Sequence, residues 1–441
     1  MAMLMNLPKE AKMMAQVTGR EGTTITIQTT VNLSGSMLDV EEAILASVNE
    51  VGAIATQEGL KRFDADGDPI VLGGIKWYSR GLEEKTYQTP YGEVNVERHL
   101  YQRAGGGQTY CPMEQGARIV HTATPRFAKM VSHKLSQSGA LQVKSDLEEN
   151  HGRALSKLLI QDIGTFVATV AQAKEESWSY AVPKLQAEIA TVGIGVDGAI
   201  IRLCGPQWRE AMTGSLSLYD KDGQRQHTIY IGAAPQHGKE DFHQRMEREI
   251  SHIKAIYPKA VYVGIADGAK CNWTFLTPHV EHQIADFYHA SEYLTDAADA
   301  IWNRPKDKGK RDAWLNAHCS QLKHEPDGVQ AILKELQAID VQRWPVARAE
   351  KLASCITYLT NQSHRMKYAE FQAAGMPIGS GVTEAACKTL VKQRLCRSGM
   401  KWKEKGAQVI LSLRALVLTA SRWDQFWNKV NQYGVPDLRR A

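Results

Sequence analysis

Long apolar runs are missing from this 441-residue chain. No stretch approaches the roughly 18 uncharged apolar residues of a membrane-spanning helix, so none is expected. Cysteine offers little: the seven residues Cys111, Cys204, Cys271, Cys319, Cys355, Cys387 and Cys396 are an odd number, widely scattered and without a CxxC pair. A disulfide framework and a zinc-finger site are therefore not expected. Aromatic residues are only 7% of the chain, which argues against the sugar-binding cleft of a glycosidase, the other enzyme class built on paired carboxylates. The opening segment "MAMLMNLPKEAKMMAQ" sets Lys9 and Lys12 behind a short apolar stretch. It does not read as a secretory signal, and a cytoplasmic protein is expected.

Hydrophobic residues at 43% and charged residues at 23% describe an ordinary globular chain. Its length calls for roughly two to four structural units. The formal net charge of +5 is mild, but its distribution is not. Between Ala385 and Lys405 stand seven basic residues, Lys388, Lys392, Arg394, Arg397, Lys401, Lys403 and Lys405, against the single acid Glu404. A lone carboxylate, Glu384, sits immediately before this run, just past the glycine turn "GMPIGSG".

Patterning divides the chain into six segments. Residues 1–69 begin with the strand-like "TTITIQTTV" and a helix start at Ser36 with Asp39 three residues on, and read as an accessory or assembly region. "DADGDP" at 64–69 lacks the glycine and the glutamate of a calcium loop and reads as a turn. Residues 70–123 form a small β-rich unit, with Val94 and Val96 on one period and "TPYG" as a turn. In 124–183 three helices are expected at about 125–137, 140–149 and 155–173, split by "QSG" and "NHGR". Short helices joined by tight turns, with Arg153 and Lys157 at the last of them, suit a helix-turn-helix that contacts DNA.

In 184–303 Val192, Ile194 and Val196 alternate with Gly193, Gly195 and Asp197. Strand-like runs at 212–219 and 225–231 follow around the hairpin turn "DKDG". An amphipathic helix then leads to the apolar run "AVYVGIADGAK", which ends at Asp267. Residues 304–374 are helical, too long for a connecting loop, and read as an inserted subdomain. Residues 375–441 return to the core with apolar helices.

Asp197 and Asp267 each end an apolar strand and precede glycine, which is how a sheet presents carboxylates at one rim. With Glu384 they make a candidate cluster of three, and clustered carboxylates repel unless a cation sits among them. Mg²⁺ suits a site of a few carboxylates, waters and substrate phosphates, and two such ions promote in-line attack on a phosphodiester. Lys388, Lys392, Arg394, Arg397 and Lys401 would then neutralise backbone phosphates of DNA.

The joint order of strand-Asp, hairpin, helix, strand-Asp, helical insertion and helix-Glu with basic residues resembles that of DDE transposases of prokaryotic insertion sequences. The likeness is to the ISKra type and its Mutator-like relatives. "PIGSGVTEAACKTLVKQRLCRSGMKW" is the most specific segment, with "VGIGVDG" and "YVGIADGA" similar to the two aspartate motifs and "TPYGEVNVERHLYQR" similar to the family's N-terminal β segment.

The resemblance implies an α/β multidomain protein. Its mixed-sheet, RNase H-like (retroviral-integrase-like) catalytic core would be interrupted by the all-helical insertion and preceded by the small β unit and the helical DNA-binding region. It further implies metal ligation by Asp197, Asp267 and Glu384, with Mg²⁺ or, as a substitute, Mn²⁺. "DFYH" resembles a [C/D]xxH element and would set His289 near the scissile phosphate. The implied partners are the element's double-stranded terminal inverted repeats, target DNA, and a second or further copy of the chain. A structure-specific nuclease without strand transfer, and a DNA-binding protein with an idle site, stay open.

Overall fold

The computed structural model describes residues 15–205, 207–236 and 239–435. The chain divides into two compact units, Met1–Trp178 with Gln425–Ala441, and Ser179–Asp424. The division falls at 178/179 rather than at 183/184. Residues 425–435, read in sequence with the second unit, belong to the first.

In the first unit, β1 (Ala15–Glu21) and β2 (Thr24–Thr29) form a hairpin, and α1 (Met37–Lys61) starts at Ser36. The capping box foreseen there is present, with the Ser36 side chain and Asp39 satisfying each other's backbone N–H. β3 (Ile70–Leu72), β4 (Ile75–Thr89) and β5 (Gly92–Gln102) make an antiparallel sheet. Residues 1–69 are not independent of it: Leu60 of α1 is buried in one cluster with Tyr87, Val94, Val96, Cys111 and Met113.

After α2 (Pro112–Gly116) come α3 (Pro125–Gln137), α4 (Ala140–His151) and α5 (Lys157–Ala173), close to the expected spans. Pro125 supplies the fixed φ of a first helical position, and Gly152, in the left-handed region, ends α4. Lys157 is exposed at the head of α5.

Arg153 requires a correction. It is buried, donates from Nε to the Thr89 carbonyl (3.1 Å) and from Nη2 to Gln88 Oε1 (2.7 Å), and lies over the Phe127 ring. It ties the end of β4 to the helices and has no face left for a phosphate.

The second unit is a mixed α/β layer structure. Its sheet runs in the order β10 (His282–Ala285), β9 (Val261–Ala266), β6 (Thr191–Arg202), β7 (Trp208–Tyr219), β8 (Arg225–Ala233). β6, β7 and β8 are antiparallel neighbours, whereas β9 runs parallel to β6, and β10 parallel to β9. The β7–β8 turn follows "DKDG": Gly223 takes a positive φ and the Asp220 carboxylate accepts from the Asp222 and Gln224 backbone.

Side chains alternate across the central strands. Tyr262 and Ala266 face a core completed by Phe242, Met246, Ile250 and Ile253 of α6 (Glu240–Ile256). Val263, Ile265 and Ile284 face the other core, against Ala290, Leu294 and Ala297 of α8 (Phe287–Ile301), which follows α7 (Lys270–Leu276).

α9 (Lys308–His324), α10 (Gly328–Gln337), α11 (Val346–Gln362) and α12 (Tyr368–Ala373) form the helical insertion. Leu322, Ile332, Leu336, Leu352 and Leu359 share the β9/β10 core, so the insertion covers a face of the sheet instead of standing as a separate subdomain. The unit continues with α13 (Gly381–Ala386), a π-helical turn at Cys387–Lys392, α14 (Gln393–Leu395) and α15 (Glu404–Leu418); α16 (Arg422–Tyr433) runs on into the residues of the first unit. Among the described residues, no helix is long and apolar enough to cross a membrane.

Candidate metal centre

The C-terminal ends of the parallel strands define one rim. Gly195 pairs with Ile265, and Ala266 with Ala285. Two residues beyond Gly195 and Ile265 come Asp197 and Asp267, and one residue beyond Ala285 comes Asp286, whose N–H donates to the Ala266 carbonyl (2.9 Å). Asp197 does not end its strand: it pairs with Thr213 inside β6, which runs on to Arg202. Asp267 and Asp286 directly follow β9 and β10, and such ends of parallel strands are where open α/β sheets gather ligands.

α13 is brought to the rim by glycines. A side chain at Gly195 would place its Cβ 1.9 Å from Thr383 Oγ1, and one at Gly193 would crowd Tyr219 and Pro377. The alternating glycines of "VGIGVDG" therefore leave room for the segment that carries Glu384. Thr383 is then fixed by a buried hydroxyl pair with Ser215 (2.8 Å), and the Phe287 N–H reaches the Ile378 carbonyl.

Glu384 meets Asp286 and His289. Asp286 caps α8, accepting from the Tyr288 N–H (2.8 Å), and is fully buried. Its Oδ2 lies 3.0 Å from His289 Nδ1 and accepts a short hydrogen bond from the Ser380 hydroxyl. Ser380 Oγ is also 2.8 Å from Glu384 Oε1, and His289 Nδ1 is 3.7 Å from the same oxygen.

A hydroxyl has one hydrogen, so it cannot donate to two ionised carboxylates at once. One carboxyl must carry a proton, or a cation must stand between them. Burial and the neighbouring Asp286 push Glu384 up from the usual carboxylate range, against the Ser380 hydroxyl. Burial opposes ionisation of Asp286 too, but His289, Ser380 and the Tyr288 N–H outweigh it and hold that carboxyl low. Of the two carboxyls, Glu384 is therefore the one pushed toward its protonated form. Its Asp286 contact raises His289 to about 9 in spite of partial burial.

One donor atom from each of Asp286, His289 and Glu384 lies within 4.8 Å of the others, the spacing of a metal-ion site, and among the described residues this is the one such group. The set differs from the sequence-derived Asp197, Asp267 and Glu384. Asp197 accepts from its neighbour Gly198 N–H and, at 3.3 Å, from the Cys387 thiol. Cys387 is three residues beyond Glu384, so Asp197 lies near the same helical segment. Burial first, and Asp197 second, push the Cys387 thiol up to about 12, which keeps it protonated and able to donate. Asp267 accepts from the Ala269 N–H (3.0 Å) and Asn272 Nδ2 (3.2 Å), while Tyr358 donates to its carbonyl.

Asp286 and Ser380 escaped assignment as site residues in the sequence, although an Asp three residues before a His at a helix start was a usable signal.

Of the basic residues after Glu384, Lys388, Lys392, Arg397 and Lys401 are exposed. Arg394 is not, and its reading as a phosphate contact is corrected. It is 2% exposed, with its guanidinium over the Trp402 ring, and burial drives its pKa down to about 10. Trp402 closes the intervening loop by donating from its indole to the Leu395 carbonyl (2.8 Å) and from its backbone to Arg202 of β6 (3.0 Å).

No protein-family model matches the chain, and no curated protein matches its sequence.

Proposed function

We propose that the chain is a DDE-type DNA transposase that hydrolyses phosphodiesters at the ends of its element and transfers the resulting 3′-hydroxyls into target DNA in the cytoplasm. The observation that carries this reading is the meeting of Glu384, brought from far along the chain, with Asp286, the carboxylate that follows the parallel strand β10. The order of β6, hairpin, α6, β9, helical insertion and α13 supports an RNase H-like assignment of the second unit.

The donors fit a divalent cation. The Asp286–His289–Glu384 set, with its imidazole, suits Mn²⁺, whereas the oxygen-only set Asp197, Asp267 and Glu384, of the kind Mg²⁺ prefers, is not drawn to that spacing among the described residues. When bound, such an ion supplies Lewis acidity for the attacking and leaving oxygens.

The chain's own residues do the rest. Asp286 and Ser380 hold His289 and Glu384 in place. Glu384, whose carboxyl is pushed up, would give up its hold on a proton when a cation binds, and His289 would ligate as the neutral imidazole or, where no ion is held, present its charged form to a phosphate. The exposed Lys388, Lys392, Arg397 and Lys401 grip the backbone in a salt-dependent way. Lys157 and the helices α3–α5 contact the terminal repeats. Joining requires two ends, so a homodimer or larger assembly acts.

The test is incubation of labelled terminal-repeat DNA, identified from inverted repeats flanking the reading frame, with Mg²⁺ or Mn²⁺. Joined products support the transposase. Cleavage without joining replaces it with a nuclease, and binding without either replaces it with a DNA-binding protein.

A further inference from the structure

Next to Asp267 the second unit contains a cavity of about 300 Å³. Gly268, Lys270, Trp273 and Thr274 line it on the α7 side, and Gln362 and Arg365 on the side where α11 ends. Its chemistry is one-sided. Lys270 is exposed, and among the described residues neither it nor Arg365 has a carboxylate partner at ion-pair distance.

Arg365 is held in place rather than neutralised. Its guanidinium lies 4.4 Å from the Trp273 ring centroid, its Nε donates to Gln283 Oε1 (2.7 Å) and its Nη1 to Gln362 Oε1 (2.8 Å). Both acceptors are neutral amides. Gln362 is itself fixed by donating to the Gly268 carbonyl (3.2 Å). Among the described residues, the remaining nitrogen, Nη2, makes no hydrogen bond to protein. Partial burial lowers the Arg365 pKa.

A guanidinium with its plane fixed by stacking loses little freedom on meeting a phosphate and engages it through its fork of donors. A mobile lysine on the opposite wall adds a point charge. The cavity exceeds what one phosphate fills and has room for the attached sugar.

We propose that this cavity is a phosphate subsite, in which Lys270 and Arg365 hold a backbone phosphodiester of a DNA strand passing Asp267. The identity of the strand rests on the DNA-processing reading above; strand transfer is not required.

The test measures binding of labelled terminal-repeat DNA by fluorescence anisotropy across a salt series, for wild type, Lys270→Gln and Arg365→Gln, with melting curves for each. Inorganic phosphate alone serves as a second probe. Each variant is expected to weaken DNA binding about three- to tenfold and to reduce the salt slope by about one. Lys270 is exposed, so its variant remains informative if Arg365→Gln unfolds.

Wild-type affinity and slope in Lys270→Gln overturn the proposal and leave Arg365 as a cover for Trp273. No DNA binding at all by wild type overturns it too, as does binding of inorganic phosphate that depends on both residues while DNA binding does not. If the variants weaken binding but wild type neither cuts nor joins DNA, the subsite stands and the transposase reading fails. If wild type and Lys270→Gln process and bind DNA alike, the transposase reading stands and the subsite fails.

Discussion

Two groups of side chains in the second unit carry different imbalances. Around Asp286, two carboxylates compete for one hydroxyl hydrogen beside a single imidazole. Around Arg365, two cations face a cavity with only neutral partners. Each is incomplete alone: the first has two carboxyls and one hydroxyl hydrogen to share between them, and the second lacks negative charge. A metal ion and a phosphodiester would complete them together, so the two groups should fail in different ways when altered.

The largest difference is expected from Glu384→Gln. It should lower cleavage of terminal-repeat DNA by roughly 10³-fold or more, as loss of a group acting on the reacting centre does. Anisotropy should show DNA affinity nearly unchanged, the reverse of the pattern expected for Lys270→Gln. Equal loss of binding in both variants would break the comparison.

Next is Gly195→Val, whose side chain would overlap Thr383. Overpacking of this kind costs about 1–3 kcal/mol, visible as a lower Tm, and displacement of α13 should weaken Mn²⁺ binding measured by calorimetry. The cavity at Lys270 should be indifferent to it.

The third effect is one of pH. His289 is raised in the folded chain, so its contact with Asp286 contributes fully below its ordinary value of 6.5 and is lost as pH rises through about 9. Without metal, Tm should therefore fall by a few degrees between pH 6.5 and 9.5, beyond the fall seen in His289→Ala. A Tm difference between the two proteins that does not change with pH would remove the ion pair from the argument.

The smallest effects belong to the exposed lysines. Lys388→Ala and Lys392→Ala should each weaken DNA binding about two- to threefold and reduce the salt slope by about one. Arg394→Ala should leave the slope alone and lower Tm, because its guanidinium is packed on Trp402.

Local signals were legible where one residue determines geometry. Pro125 and Gly152 bounded α3 and α4, Ser36 with Asp39 opened α1, and "DKDG" turned β7 into β8. Asp267 was readable for the same reason, since β9 stops just before it, whereas Asp197 sits within β6, whose alternation carries on to Arg202. What tertiary packing decides was not readable. Arg153 and Arg394 look like any basic residue on a helix, and only Gln88, Thr89 and Trp402, remote or around a loop, turn them inward. Glu384 joined Asp286 and His289 because Ser380 and the cap of α8 set its neighbours, and neither interaction follows from spacing. The helical insertion was seen as helical, but its share in the sheet's core depends on which apolar face meets Val263 and Ile265.

The π-helical turn at Cys387–Lys392 has a consequence for everything that follows it. Such a turn accommodates about one residue more than an α-helical one, and each residue is worth about 100° of rotation. It therefore acts as a phase shifter, setting which way Lys392 and Arg394 point relative to Glu384. Deleting one of its uncharged residues, such as Thr389, would re-index the surface, exchanging an inward guanidinium for an outward one without altering a single charge.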